Sequence, residues 1–255
     1  MNPTMIGFST LLWREVSRFL KVWAQTLGAP VVTTLLFLAV FVLALGDAKR
    51  EVDGTPYVAF LGAGLAMMAI AQNAFANTSS SLAIARMQGN LVDLLMAPLP
   101  PAVFLGGLVC GAIARGMAVG AVSIAAISPF AGFTWADLPL MILAAFFAAA
   151  MMGLLGVLAG LWAEKIDQLA AVTNFVITPL AFLSGTFYSI HRLPDGVRHI
   201  AYIDPLFWMM DAFRAGLTGH ADGRPWLGLV ALAVVTAALW VVTLRLVKSG
   251  WRLRA

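Results

Sequence analysis

Few residues in this 255-residue chain carry side chains able to do chemistry, and their spacing is poor for it. His191, His199 and His220 are scattered over one polar stretch and lack close metal-ligand spacing, so they read as solvated loop histidines. No Ser–His–Asp arrangement can be read. No G-x-x-x-x-G-K-[ST] run occurs, so the usual cradle for ATP phosphates is missing. Cys110 is the single cysteine, which excludes an intrachain disulfide. The twelve carboxylates lie outside the long uncharged runs or at their ends. That argues against proton coupling, which needs an acid within a membrane, although Asp204 and Asp211 would enter if their loop folded inward. The exception in position is Arg115, a lone charge inside a long apolar stretch.

The frame that must position these residues is apolar. Hydrophobic residues make up 61% of the chain and charged ones 11%, against roughly half and a quarter in an ordinary soluble protein. One soluble core cannot hide that much apolar surface. Residues 22–46, 54–85, 94–114, 116–136, 138–163, 168–190 and 225–244 contain no Asp, Glu, Lys, Arg or His. A membrane-crossing helix needs about 20 such residues at 1.5 Å rise each. The third and fourth runs are parted only by Arg115 and join into one span. Six transmembrane helices follow, near residues 28–46, 57–82, 102–127, 138–162, 169–189 and 225–247. The fold class is an all-α integral membrane protein, with residues 1–255 forming one membrane domain.

Arg115 then stands about 18–20 Å of helix from either end of its span. An unpaired arginine at that depth costs about 2.5 kcal/mol or more on insertion scales. No acid is available at matching depth. Gly107, Gly111, Gly116 and Gly120 keep the same helix slim, so neighbouring backbone carbonyls or asparagines can receive its five donors. Two readings stay open. Arg115 either ties its helix to its neighbours or faces a cavity and contacts an anionic headgroup.

With an even number of spans, both termini share a side. That side holds nine basic against four acidic residues, and the other holds six against eight. Lys and Arg near span ends collect on the cytoplasmic face, so both termini are expected in the cytoplasm. The net charge of +4 therefore needs no nucleic-acid partner. Residues 5–25 place Leu12, Val16, Phe19, Leu20 and Trp23 on one helical face and Arg14, Ser17, Arg18, Lys21 and Gln25 on the other. They fit a helix in the inner interface, bent into the first span near Gly28 and Pro30, or a soluble helix packed on a partner. Their charges also argue against a cleavable signal. The segment "RMQGNLVDLLMAPLPP", residues 86–101, puts Met87, Leu91, Leu94 and Leu95 on one helical face beside Asn90 and Asp93. It reads as a force-transmitting helix beneath the bundle or as an interfacial turn.

Several stretches together resemble one family: "REVSRFLKVWAQTL", "FANTSSSLAIARMQGNLVDLLMAPLP", "ARG" at 114–116, "TPLAFLSGTFYSIHRLP" and "IDPLFWMMDAFRAG". The chain resembles the ABC-2 type transporter permeases, and among them the YadH-like subfamily. The likeness covers nearly its whole length. Asp204, where the family often has Asn, and Thr186, where an apolar residue is common, depart from the pattern.

The resemblance implies a homodimer bound to two copies of a cytoplasmic ABC ATPase. It exports an amphipathic substrate, a lipid-linked molecule or a hydrophobic drug, through the bacterial inner membrane. This chain would be no enzyme and hold no cofactor, with ATP and Mg on the partner ATPase. An ion-coupled secondary transporter and a membrane anchor for an ATPase are the rival readings. The family pattern implies an ATPase-coupling helix at 86–97 carrying Arg86, Gly89, Asn90, Leu91, Asp93 and Leu94. It implies a translocation path between spans two and five, where Gln72, Asn73, Phe75, Asn77, Asn174, Phe175 and Thr178 stand, with Arg115 as a further candidate. Asparagines at such positions serve as interhelical ties or as ligand contacts. It also implies a re-entrant hairpin over 190–217. Ser184 and Gly185 would break span five, Phe187 and Tyr188 would sit at interface depth, and Pro194 with Asp195–Gly196 would form the turn. Pro205 would open a second short helix carrying Arg214.

Overall fold

The computed structural model describes residues 3–44, 51–52, 54–90, 99–192 and 194–250. Helix α1 (Pro3–Lys21) is interrupted at Val22 and continues through a π-helical turn (Ala24–Gly28) into α2 (Ala29–Ala44). Pro30 explains that turn. It has no N–H for the carbonyl four residues back, so the register shifts ahead of it, and Ala29 N–H reaches the Ala24 carbonyl. The Thr26 hydroxyl donates to the Phe19 carbonyl at 2.8 Å and closes the gap. The irregular stretch, Val22–Gly28, adjoins the place near Gly28 and Pro30 where a bend was expected.

Between α2 and α3 the chain forms a two-stranded antiparallel ribbon, β1 (Glu51–Val52) with β2 (Thr55–Pro56), paired Glu51 to Pro56 and Val52 to Thr55. The all-helical expectation did not include it. Then come α3 (Tyr57–Met87), α4 (Pro101–Ala131) and α5 (Leu138–Trp162). The span α6 (Ile166–Thr186) is followed by α7 (Asp195–Ile203), α8 (Pro205–Thr218) and α9 (Pro225–Ser249). Among the described residues six helices are long and apolar enough to cross a membrane, and they fall on the six predicted stretches. Helices α3 and α4, of 31 residues each, reach about 46 Å, so they tilt or project beyond a hydrocarbon core of about 30 Å.

Helix α3 is the centre, buried along most of its length against α4 and α5. Without a hydrophobic driving force in lipid, such helices associate through small residues and hydrogen bonds. A β-carbon at Gly156 of α5 would collide with the Phe75 carbonyl of α3, one at Gly160 would strike the Leu82 side chain, and the Thr78 hydroxyl donates to the Gly153 carbonyl at 2.7 Å. Helices α2, α6 and α9 leave most of their surface uncovered.

At one end of the bundle α6 breaks at the expected place. Ser184 leaves the helical region (ψ 16°) and Gly185 adopts φ +85°. The expected turn at Pro194–Gly196 is instead the start of α7, where the Pro194 carbonyl accepts from Arg198 N–H at 3.0 Å. A proline at a helix start wastes no donor, so Pro-Asp-Gly opens a helix as readily as a turn. The break between α7 and α8 falls at Asp204, whose carboxylate caps α8 through Leu206 N–H at 2.9 Å. Helix α8 is buried among α3, α5 and α9. Its Gly216 and Leu217 carbonyls accept from Asp137 N–H at 2.8 Å and Trp135 N–H at 2.9 Å.

Candidate functional site

Polar residues recur along α3 at helical spacing, and Asn73, Asn77, Ser80 and Ser81 hold charged side chains of other elements. Arg115 Nη2 donates to Asn73 Oδ1 at 2.9 Å. One turn along, Arg18 Nη2 donates to Asn77 Oδ1 at 3.1 Å and to its carbonyl at 2.6 Å, while Nη1 reaches the Ser80 hydroxyl at 3.0 Å. Behind Arg18 lies Glu15, with no exposed surface. It pairs with Arg18 at 2.9 Å and Arg14 at 3.4 Å and accepts from the Ser81 hydroxyl at 2.7 Å. Gly111 of α4 admits it, since a β-carbon there would strike the Glu15 side chain. Helix α1 is therefore hooked into α3 and α4 by charge.

This corrects the expected faces of α1. Its packed face is Leu11, Glu15 and Phe19, and Arg18 turns inward, whereas Leu20 and Trp23 are exposed. A pattern of apolar and polar residues does not say which apolar face meets protein and which is left bare. The lone acid between Arg14 and Arg18, four residues from both Leu11 and Phe19, was the available signal for Glu15.

Between α2 and α3 lies a cavity of about 640 Å³. Arg18, Arg115, Gln72 and Asn73 line it with Thr33 and Thr34 of α2, and Val22, Met68 and Ile84 supply apolar wall. No acidic residue lines it among the described residues. Of the expected path residues, Gln72, Asn73 and Arg115 come together here, and Thr178 touches Gln72 at 3.5 Å. Asn77 is fully buried, engaged with Arg18 and Glu15. Phe75 is 2% exposed inside the core of the single chain. Asn174 and Phe175 face away from the bundle, Phe175 being 81% exposed. Sequence reasoning passed over Thr33, Thr34 and Arg18 as cavity residues.

A second cluster locks the broken end of α6. Arg214 of α8, 1% exposed, donates from Nη2 to the Gly185 carbonyl, lies 3.7 Å over the Phe60 ring and stands 3.9 Å from the Asp222 carboxylate. Asp222 also accepts from the Ser189 hydroxyl at 2.8 Å and Ile190 N–H at 3.1 Å. Burial pushes the Asp222 carboxyl up, but its hydrogen bonds and the Arg214 guanidinium together hold it below the ordinary carboxylate value. Asp211 accepts the N–H groups of Asp222 at 2.6 Å and Gly223 at 3.1 Å. His220, expected to be solvated, is nearly buried against Phe60 and 2.9 Å from Asp222. Phe187 stacks on Phe41 of α2 with centroids 4.8 Å apart, and the Tyr188 hydroxyl reaches the Leu183 carbonyl at 3.2 Å.

The expected coupling segment, residues 86–97, is described only to Asn90. Arg86 sits in the last turn of α3 and donates to the Leu161 carbonyl at 3.0 Å and to that of Ala163, so it caps α5. Gly89 takes φ +73° in the following turn. Leu91, Asp93 and Leu94 lie outside the described residues.

The family model for the ABC-2 type transporter matches residues 7–218, from α1 to the end of α8. The chain belongs to the ABC-2 type transporter family. This ABC-2 permease is 34% identical to the inner membrane transport permease YadH of Escherichia coli (strain K12), over 259 residues covering all of both chains. It is 28% identical to nodulation protein J of Rhizobium meliloti (strain 1021), over 82% of this chain and 78% of that protein. With nodulation protein J of Rhizobium leguminosarum bv. viciae the identity is 26%, over 93% and 92%. The ABC-2 permease is thus a multi-pass inner-membrane subunit of a transporter, and its membership implies an ABC ATPase partner.

Proposed function

We propose that the chain is the membrane half of an ATP-driven exporter, acting as a homodimer with two separate cytoplasmic ATPase subunits that bind ATP and Mg. Its cargo is an amphipathic molecule drawn from the inner leaflet, lipid-linked or drug-like. The cavity beside α2 carries this reading: it sets guanidinium, amide and hydroxyl groups opposite Val22, Met68 and Ile84, the mixed lining an amphipathic ligand requires. The uncovered faces of α2 and α6, with Phe175 and Leu183 among their exposed residues, fit a second copy that would close the path.

In this reading both termini are cytoplasmic, α1 lies in the inner interface and residues 86–97 couple to the ATPase. The α7–α8 hairpin is a re-entrant lid in the outer leaflet. Non-helical backbone at membrane depth is tolerated where protein satisfies it, and the Arg214 bond to Gly185 supports that here.

The decisive experiment is co-purification with a cytoplasmic ABC ATPase, followed by hydrolysis assays in nanodiscs. Gly89→Leu with Asp93→Leu is expected to release the ATPase or uncouple it, with the spans intact. Wild-type co-purification and stimulation in that variant would count against the coupling assignment. In cells lacking Cys110, Phe175→Cys should cross-link between copies. An impermeant maleimide should label Ala136→Cys and spare Asn90→Cys; the reverse pattern would overturn the orientation.

A further inference from the structure

The α2–α3 cavity has a chemical bias beyond being amphipathic. Asn73 and Asn77 are four residues apart on α3, so about 6 Å along its axis. Each holds one guanidinium, Arg115 on Asn73 and Arg18 on Asn77. Both guanidinium groups line the same cavity. Glu15 offsets Arg18 from behind, but no acid among the described residues faces Arg115 from the cavity wall, and its one resolved bond is to a neutral amide. Arg18 has its counter-ion in Glu15, so Arg115, inside a membrane-crossing helix with no acid on the cavity wall, is the cation whose charge is costly unless an anion comes to it.

We infer that this cavity is a headgroup subsite for an anionic amphiphile of the phosphate class, with Arg115 and Arg18 as its two binding cations. Gln72, Thr33 and Thr34 add neutral donors around the headgroup, and the apolar residues of the wall take the start of the tail. The inference rests on reading the cavity as the cargo's place. It says which cargo: one with an oxyanion head, not a neutral or cationic drug.

Binding to the purified chain alone tests this without the ATPase, so failed coupling and a failed headgroup assignment remain distinguishable. The probes are fluorescent lysophosphatidic acid and lysophosphatidylcholine of the same chain length. Wild-type protein should bind the phosphate monoester about tenfold or more tightly, as expected for a charge-assisted bond of roughly 1.5 kcal/mol or more, and salt should narrow the gap. Arg115→Gln should abolish the preference, while Arg115→Lys keeps part of it, each checked for a wild-type melting temperature. If Arg115→Gln does not fold, the wild-type preference still decides. Equal binding of the two probes, or an undiminished preference in folded Arg115→Gln, overturns the inference. Displacement by millimolar inorganic phosphate alone would mean a free-anion site and overturn the headgroup assignment. Competition by phosphatidylglycerol as strong as by lysophosphatidic acid supports the subsite and identifies its occupant as bilayer lipid.

Discussion

The Ser184 hydroxyl donates to the Asp204 carboxylate at 2.7 Å, across twenty residues of sequence. One residue breaks α6 and the other caps α8 through Leu206 N–H, so the end of one helix is bonded to the start of another. The Ser184 hydroxyl oxygen also lies 2.5 Å from the Leu180 carbonyl, which competes for its single proton, and Arg214 returns from α8 to the Gly185 carbonyl. The break is therefore held from both sides.

That relationship predicts coupling between the two positions. Asp204→Ala should cost about 1–2 kcal/mol through loss of the cap, and Ser184→Ala about 1 kcal/mol. The double variant should cost less than the sum, which a thermal-stability cycle in detergent would read. Strict additivity would mean that the two groups do not interact.

Gly185 is required for its φ of +85° and not for space, because a β-carbon there would meet only Ile190 Cγ2 at 3.5 Å. Gly185→Ala should therefore destabilise by about 1–2 kcal/mol, and Gly185→Asn by less, since Asn tolerates the left-handed region. Gly64 is the opposite case: its β-carbon would strike the Thr186 carbonyl, so Gly64→Asn should be worse than Gly64→Ala. Melting temperatures of the four variants check both rankings.

Removing the Glu15 carboxylate leaves Arg18 partly buried beside Arg14 with no counter-ion. Breaking a buried pair from one side is the costly way to break it. Glu15→Gln should loosen α1, lowering disulfide cross-linking between cysteines placed at Leu11 and Gly107, which are in contact. Adding Arg18→Gln should restore part of that yield, and unchanged cross-linking in Glu15→Gln would remove the hook from the account.

At the other cluster, Asp222→Ala leaves the Arg214 charge buried and should cost roughly 3–5 kcal/mol. The folded pKa of Asp222 lies below its ordinary value of 3.8. Its contribution is thus fully present above that value and is lost as pH falls through the folded pKa. Stability should be insensitive to this group at neutral pH, and the variant should flatten the acid limb of a melting-temperature profile.

The sequence by itself determined the six spans, because only the length of uncharged stretches has to match a bilayer. The helix breaker at Ser184–Gly185 was visible in the residues, but the start of α8 at Asp204–Pro205 came from the family resemblance, since the same residues also suit a plain loop. What tertiary structure alone decided was which neighbour each face received. Arg18 and Glu15 turned inward, Phe75 went into the core, Arg86 capped α5 and His220 was covered. The reason is physical: to a helix in a membrane, lipid and a neighbouring helix are equally apolar. Periodicity therefore marks a face without naming what covers it, and a buried charge is recognised only once the chain brings its counter-charge or hydrogen-bond partner from dozens of residues away.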